Sequence, residues 1–126
     1  MNVEAFKAAY SESRNGTNQF HYAKSLPNFL YSDGVKECAE AGCYWLLVLL
    51  GTELPMEFRQ RPDDYMCVIT VTVANGKANI LGEWHDEYPT PYKRKVHITD
   101  MPDGEWKFFV SESEGNRLLC ILPSEY

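Results

Sequence analysis

The chain has 126 residues with a net charge of −6; 44% of it is hydrophobic, 24% charged and 13% aromatic. That length suits one domain over residues 1–126, and the apolar share excludes disorder and supports a core without disulfide or metal staples. Splitting after Asp64 leaves 6 basic and 9 acidic residues on each side, so neither half is a basic arm, and the sequence argues against direct nucleic-acid binding.

Val3, Phe6, Ala9 and Tyr10 recur at helical spacing and predict a first helix over roughly residues 2–12, ended at Asn15-Gly16. Its charged residues Glu4, Lys7 and Glu12 are incompatible with a secretion signal, and the apolar run Cys43 to Leu50 is too short to span a bilayer. A cytoplasmic protein, kept in the compartment where it is made and without membrane contact, is expected. Gln19 to Lys24 alternates Phe20 and Tyr22 against His21, as a short strand or extended arm would.

The main helix is expected over about 33–50. Ser32 or Asp33 supplies the N-cap, and Val35, Cys38, Ala39, Gly42, Trp45, Leu46, Leu49 and Leu50 form the apolar face. Gly51 and Pro55 follow in the order of helix terminators, and Glu57 to Arg61 can add one further turn. From Tyr65 the period changes to two. Residues 65–73 and 78–85 read as a hairpin about Asn75-Gly76, 92–99 as a third strand, and Trp106–Val110 and Arg117–Leu122 as the last two. Helices followed by strands give an α+β fold, with the main helix across a five-stranded antiparallel meander of neighbours in sequence.

Cys38, Cys43, Cys67 and Cys120 lack the spacing of a metal site and read as reduced, buried thiols, so no metal or cofactor is expected. His85, in the run Glu83 to Glu87, invites a general-base or metal reading, whereas His97, on a polar face flanked by lysines, reads as surface; no hydrolase, phosphate-loop or dinucleotide motif is present. Tyr92-Lys93-Arg94-Lys95 is the basic cluster. Lys93, Lys95 and His97 share one strand face, either as a contact for phosphate or an acidic partner, or as an edge guarded against aggregation. Phe109, Leu119 and Ile121 fall on the second face of their strands, so that face is not cleanly polar. The first helix and the Gln19–Tyr31 arm should cover it, with Pro123 to Tyr126 available as a cap; otherwise it is an exposed patch for a partner or a second copy in a homodimer.

Leu30-Tyr31-Ser32-Asp33-Gly34, the helix run Tyr44-Trp45-Leu46-Leu47, Thr99-Asp100-Met101-Pro102 and the ending Leu122-Pro123-Ser124-Glu125-Tyr126 resemble the signature of a small uncharacterised domain family of bacteria, plasmids and phages. The resemblance covers roughly residues 16–126. It implies a setting on mobile elements and no known activity. Together with the missing catalytic motifs, it favours a non-enzymatic interaction protein, in its specific form a counter-defence inhibitor of the anti-CRISPR or anti-restriction type that blocks a host protein or nucleoprotein complex. The expected contacts are Glu83, Asp86, Glu87, Tyr88, Tyr92, Lys93, Arg94 and Lys95. The alternatives are a small enzyme or ligand binder with a pocket near His85 or His97, and a nucleic-acid accessory protein acting through Lys93, Arg94 and Lys95.

Overall fold

The computed structural model describes residues 1–12, 16–62, 64–84 and 91–126. The fold is α+β, as expected, but the sheet is larger than the C-terminal half alone provides. In chain order the elements are α1 (Val3–Ser11), β1 (His21–Ala23), β2 (Leu26–Tyr31), α2 (Asp33–Cys38), α3 (Tyr44–Arg59), β3 (Met66–Ala74), β4 (Lys77–Trp84), β5 (Tyr92–Val96), β6 (Gly104–Ser113) and β7 (Arg117–Ile121). A final 3-10 turn spans Pro123–Glu125.

The sheet has seven strands in the order β1-β2-β7-β6-β3-β4-β5. Two corrections to the expected five-stranded antiparallel meander follow. The arm before the main helix enters the sheet as β1 and β2, and β2 runs parallel to β7, with Phe29, Leu30 and Tyr31 opposite Leu118, Leu119 and Cys120. Strand β6 pairs with β3, not with β5. Three hairpin-linked strands and a fourth beside the first make a Greek key. The link between β5 and β6 is held at the β3–β4 turn, where the Thr99 amide donates to the Gly76 carbonyl and Asp103 accepts from the Asn75 amide. Buried Met101 fixes its middle.

The expected single helix over 33–50 is broken in two. Ser32 caps α2 by accepting from the Val35 amide, and a π-helical turn over Ala39–Cys43 then contains Gly42 at φ +136°. A side chain at Gly42 would strike Met1, its Cβ lying 2.9 Å from that of Met1, so both the dihedral and the space select glycine. Gly51 and Pro55 do not end α3, which runs to Arg59. At Gly51 the absence of a Cβ lets the helix approach β2, where an added Cβ would lie 3.0 Å from Leu26 Cδ1 and 3.2 Å from Phe29 Cγ. Pro55 removes one backbone donor within the helix, at about 3 kcal/mol. Leu54 and Phe58, buried on either side of it, hold the last turns down.

All helices lie on one side of the sheet. Leu46, Leu50, Leu54 and Val35 from the helices meet Cys67, Ile69, Val71, Ile80, Phe108, Val110 and Cys120 from the strands in one buried cluster. Helix α1 joins the same layer, with Phe6 edge-on to Trp106 at 5.0 Å. The four cysteines are buried and none is in a disulfide.

Candidate functional site

Among the described residues no helix packs over the other side of the sheet. The expected cover is corrected on both counts: α1 packs on the helical layer and the Gln19–Tyr31 arm lies in the plane of the sheet as its edge. The open face is built from the alternate residues of each strand. Its upper rows run Leu30–Leu119–Ser111–Met66 and Ile121–Phe109–Val68–Glu83 across β2, β7, β6, β3 and β4. Its lower rows run Lys107–Thr70–Leu81–Lys93 and Glu105–Thr72–Asn79–Lys95.

This face is therefore divided. Val68, Met66, Phe109, Leu119 and Ile121 form a contiguous, half-buried apolar patch. Tyr126, 81% exposed, stands edge-on to Phe109 at 5.5 Å, so the C-terminal turn does reach this face but covers only its margin. The remaining half carries Lys77, Lys93, Lys95, Lys107 and Glu105 among threonines and an asparagine, with Glu83 at its border. Lys107 approaches Glu105 at 3.7 Å, an exposed contact of little energetic weight. The helical layer is mixed, with Glu4, Asp33, Glu37, Glu40, Glu53 and Glu57 against Lys7, Lys36, Arg59, Arg61 and Arg94. On the open face, then, the four lysines outnumber Glu83 and Glu105, which suits an acidic partner surface.

The predicted contact residues are distributed over both sides. Glu83, Lys93 and Lys95 lie on the open face. Tyr92 and Arg94 lie on the helical side: the Tyr92 hydroxyl donates to Glu53 at 2.7 Å and Arg94 Nε donates to the same carboxylate at 2.6 Å. Burial and the Glu53 carboxylate push the Tyr92 hydroxyl well above the ordinary tyrosine range. Tyr92 is buried and bonded, so it offers no ring for stacking on an external base, and Arg94 does not join the two lysines. Asp86, Glu87, Tyr88 and His85 lie outside the described residues. His97 is exposed just beyond β5.

Two polar clusters were not anticipated as such. His21 Nε2 and Asp33 Oδ1 are 2.8 Å apart, Asp33 Oδ2 accepts from the Asn18 amide at 2.9 Å, and the Asp33 amide donates to Thr17 Oγ1 at 2.9 Å. These bonds hold the Asp33 carboxyl down at about 2, chiefly through His21 and Asn18, and tie the arm to the start of α2. The second cluster is interior. Glu125 is buried and accepts from the Ser32 hydroxyl at 2.5 Å, the Gly34 amide at 3.0 Å and the Leu122 amide at 2.9 Å. The Leu30–Gly34 and Leu122–Tyr126 segments of the sequence signature are therefore two halves of one junction. Helical periodicity gives no sign of it, because the contact spans 91 residues.

Burial raises the thiols of Cys43 and Cys67 to about 12 and that of Cys120 well above its usual range, so all three are held as neutral thiols. Among the described residues no three histidine, cysteine or acidic side chains gather as a metal site requires. Among them, too, no helix is long and apolar enough to cross a membrane.

The chain belongs to the family of unknown function DUF6876, whose match spans residues 8–126. No curated protein and no solved structure matches it.

Proposed function

We propose that this DUF6876 member is a binding module that recognises a partner protein through the open face of its sheet. The observation that carries the reading is the uncovered apolar patch around Phe109, Val68 and Ile121, bordered by Lys77, Lys93, Lys95 and Lys107. Exposed contiguous apolar surface with a polar rim is the hallmark of a protein interface. The lysine border asks for an acidic rim on the partner and sets the approach, while the apolar half supplies the contact energy. The counter-defence role suggested by the sequence signature enters here as the class of partner: a host defence protein complex, blocked by occupation of its surface.

The test is capture from a bacterial lysate by immobilised protein, repeated with F109E and with K93E/K95E. Circular dichroism and melting of each variant establish that it remains folded. Capture of a defined complex, lost in both open-face variants and retained in a Glu37→Gln control on the helical layer, is the expected result. Capture unaffected by both open-face variants refutes the reading. Dimerisation of the purified protein that F109E abolishes would assign the face to a second copy and equally refute it.

A further inference from the structure

A cleft of about 960 Å³ opens between the second half of α3 and the ends of β2, β6 and β7. That volume is in the range of small-molecule sites. Its origin lies in the chain: Gly51 brings α3 down onto β2, and Pro55, Phe58 and Arg59 beyond it line the cleft together with Ser113, Asn116 and Arg117 from the β6–β7 hairpin. The floor is apolar and fixed, since Phe29, Phe58 and Leu118 are core residues no more than 5% exposed. Pro27, Pro55 and Pro62 stiffen the walls.

The rim carries two guanidinium groups. Arg59 Nε donates to the Pro55 carbonyl and Arg117 Nε to the Glu114 carbonyl, bonds that hold each side chain to its own backbone. Neither group pairs with a carboxylate among the described residues, unlike Arg61 and Arg94 on their glutamates. Asn28, Ser113 and Asn116 add neutral hydrogen-bonding groups, and Glu112 is the one acid of the lining among the described residues. A guanidinium anchored through Nε still presents its terminal nitrogens, the geometry that recognises carboxylate and phosphate oxygens.

From this we infer that the cleft is a binding site for a small organic anion, a carboxylate or phosphate monoester on an apolar body, held by Arg59 and Arg117 over the Phe29–Leu118 floor. The lining includes none of Phe109, Val68, Ile121, Lys93 and Lys95, so the inference stands independently of the proposed protein partner.

The experiment is a titration of the isotopically labelled protein followed by amide resonances. The probes are phenyl phosphate, benzoate, inorganic phosphate and, as a neutral control, benzyl alcohol. A ligand of this size is expected to saturate in the millimolar range. The amides of Asn28, Gly51, Ser113 and Arg117 should move, and phenyl phosphate or benzoate should bind at least about tenfold more tightly than benzyl alcohol. Whichever of the two binds more tightly identifies the anionic group. Inorganic phosphate, lacking the apolar body, should bind more weakly than phenyl phosphate. R59Q and R117Q should each weaken binding about tenfold, and R59K and R117K, which keep the charge and lose the fork, several-fold. No saturable shift by about 10 mM of either aromatic anion, equal binding of benzyl alcohol, or anion binding indifferent to both arginines would each overturn the assignment.

Discussion

Replacing Glu125 by alanine tests whether the junction between the two signature segments holds the fold together. The carboxylate is 7% exposed and takes three hydrogen bonds, from the Ser32 hydroxyl and the Gly34 and Leu122 amides. Removing it leaves three buried donors without their acceptor, and each such loss costs about 1–3 kcal/mol. Two effects reduce the sum. The alanine no longer carries the desolvation of a buried charge, and Ser32 retains its capping bond to the Val35 amide. A net loss of about 3 kcal/mol is expected, which for 126 residues lowers the melting temperature by roughly 11 °C. Urea and thermal unfolding of the wild type, E125A, S32A and the double variant measure it. A coupling energy of at least about 1 kcal/mol between positions 32 and 125 is expected in the cycle. An E125A loss below about 1 kcal/mol, or additive single variants, would refute the reasoning that this contact is a principal fastening of the fold.

The same junction predicts that Gly34→Ala destabilises, although alanine gains about 1 kcal/mol of helix propensity over glycine, because the new Cβ would lie 2.8 Å from Leu122 Cδ1 and 2.9 Å from Glu125 Cδ. Melting of G34A above wild type would contradict that packing. Gly42→Ala should lose about 2–4 kcal/mol in urea unfolding, since φ +136° and the Met1 contact oppose it together. Asp33 is held at about 2 against an ordinary 3.8, so its ionised form favours the folded state. That contribution is complete above about pH 4 and disappears as pH falls through about 2; D33N should flatten this acid limb of the stability profile, and an unchanged limb counts against the His21–Asp33 pairing. Of the four thiols, Cys38, Cys43, Cys67 and Cys120, none should react promptly with a disulfide reagent in the native protein and all four should in denaturant, as buried neutral thiols require.

The parts of this fold governed by local period were readable in the residues. Alternation of Cys67, Ile69, Val71 and Val73, and the Asn75-Gly76 turn, place β3 and β4 within one residue of their observed limits, with Asn75 and Gly76 both at positive φ. What escaped is what depends on distant partners. Gly51 and Pro55 have the chemistry of a helix stop, and the helix passes through them because Leu26 and Phe29 require closeness at Gly51 while Leu54 and Phe58 are anchored beyond. Residues 26–31 carry no clear strand signal, since β2 is made a strand by pairing with residues some ninety positions away. The apolar second face was legible in Phe109, Leu119 and Ile121, but not its openness, which depends on where α1 and the arm settle. The Arg59–Arg117 cleft left no motif, because its two cations come from a helix end and a strand start that meet only in the folded chain.

The parallel pairing of β2 with β7 also sets the order in which a newly made chain can fold. Strand β7 fills the gap between β2 and β6, and it is the last strand to be synthesised. At translation speeds of about 5–20 residues per second, β2 waits several seconds on the ribosome with its backbone groups unpaired on that side. Helix α2 likewise waits for the Glu125 carboxylate that will accept its Gly34 amide. Chains halted after Ser113 should therefore be cut by protease between β1 and α2 while the β3–β4–β5 hairpins resist, and equal resistance throughout would show that the early segments mature without β7.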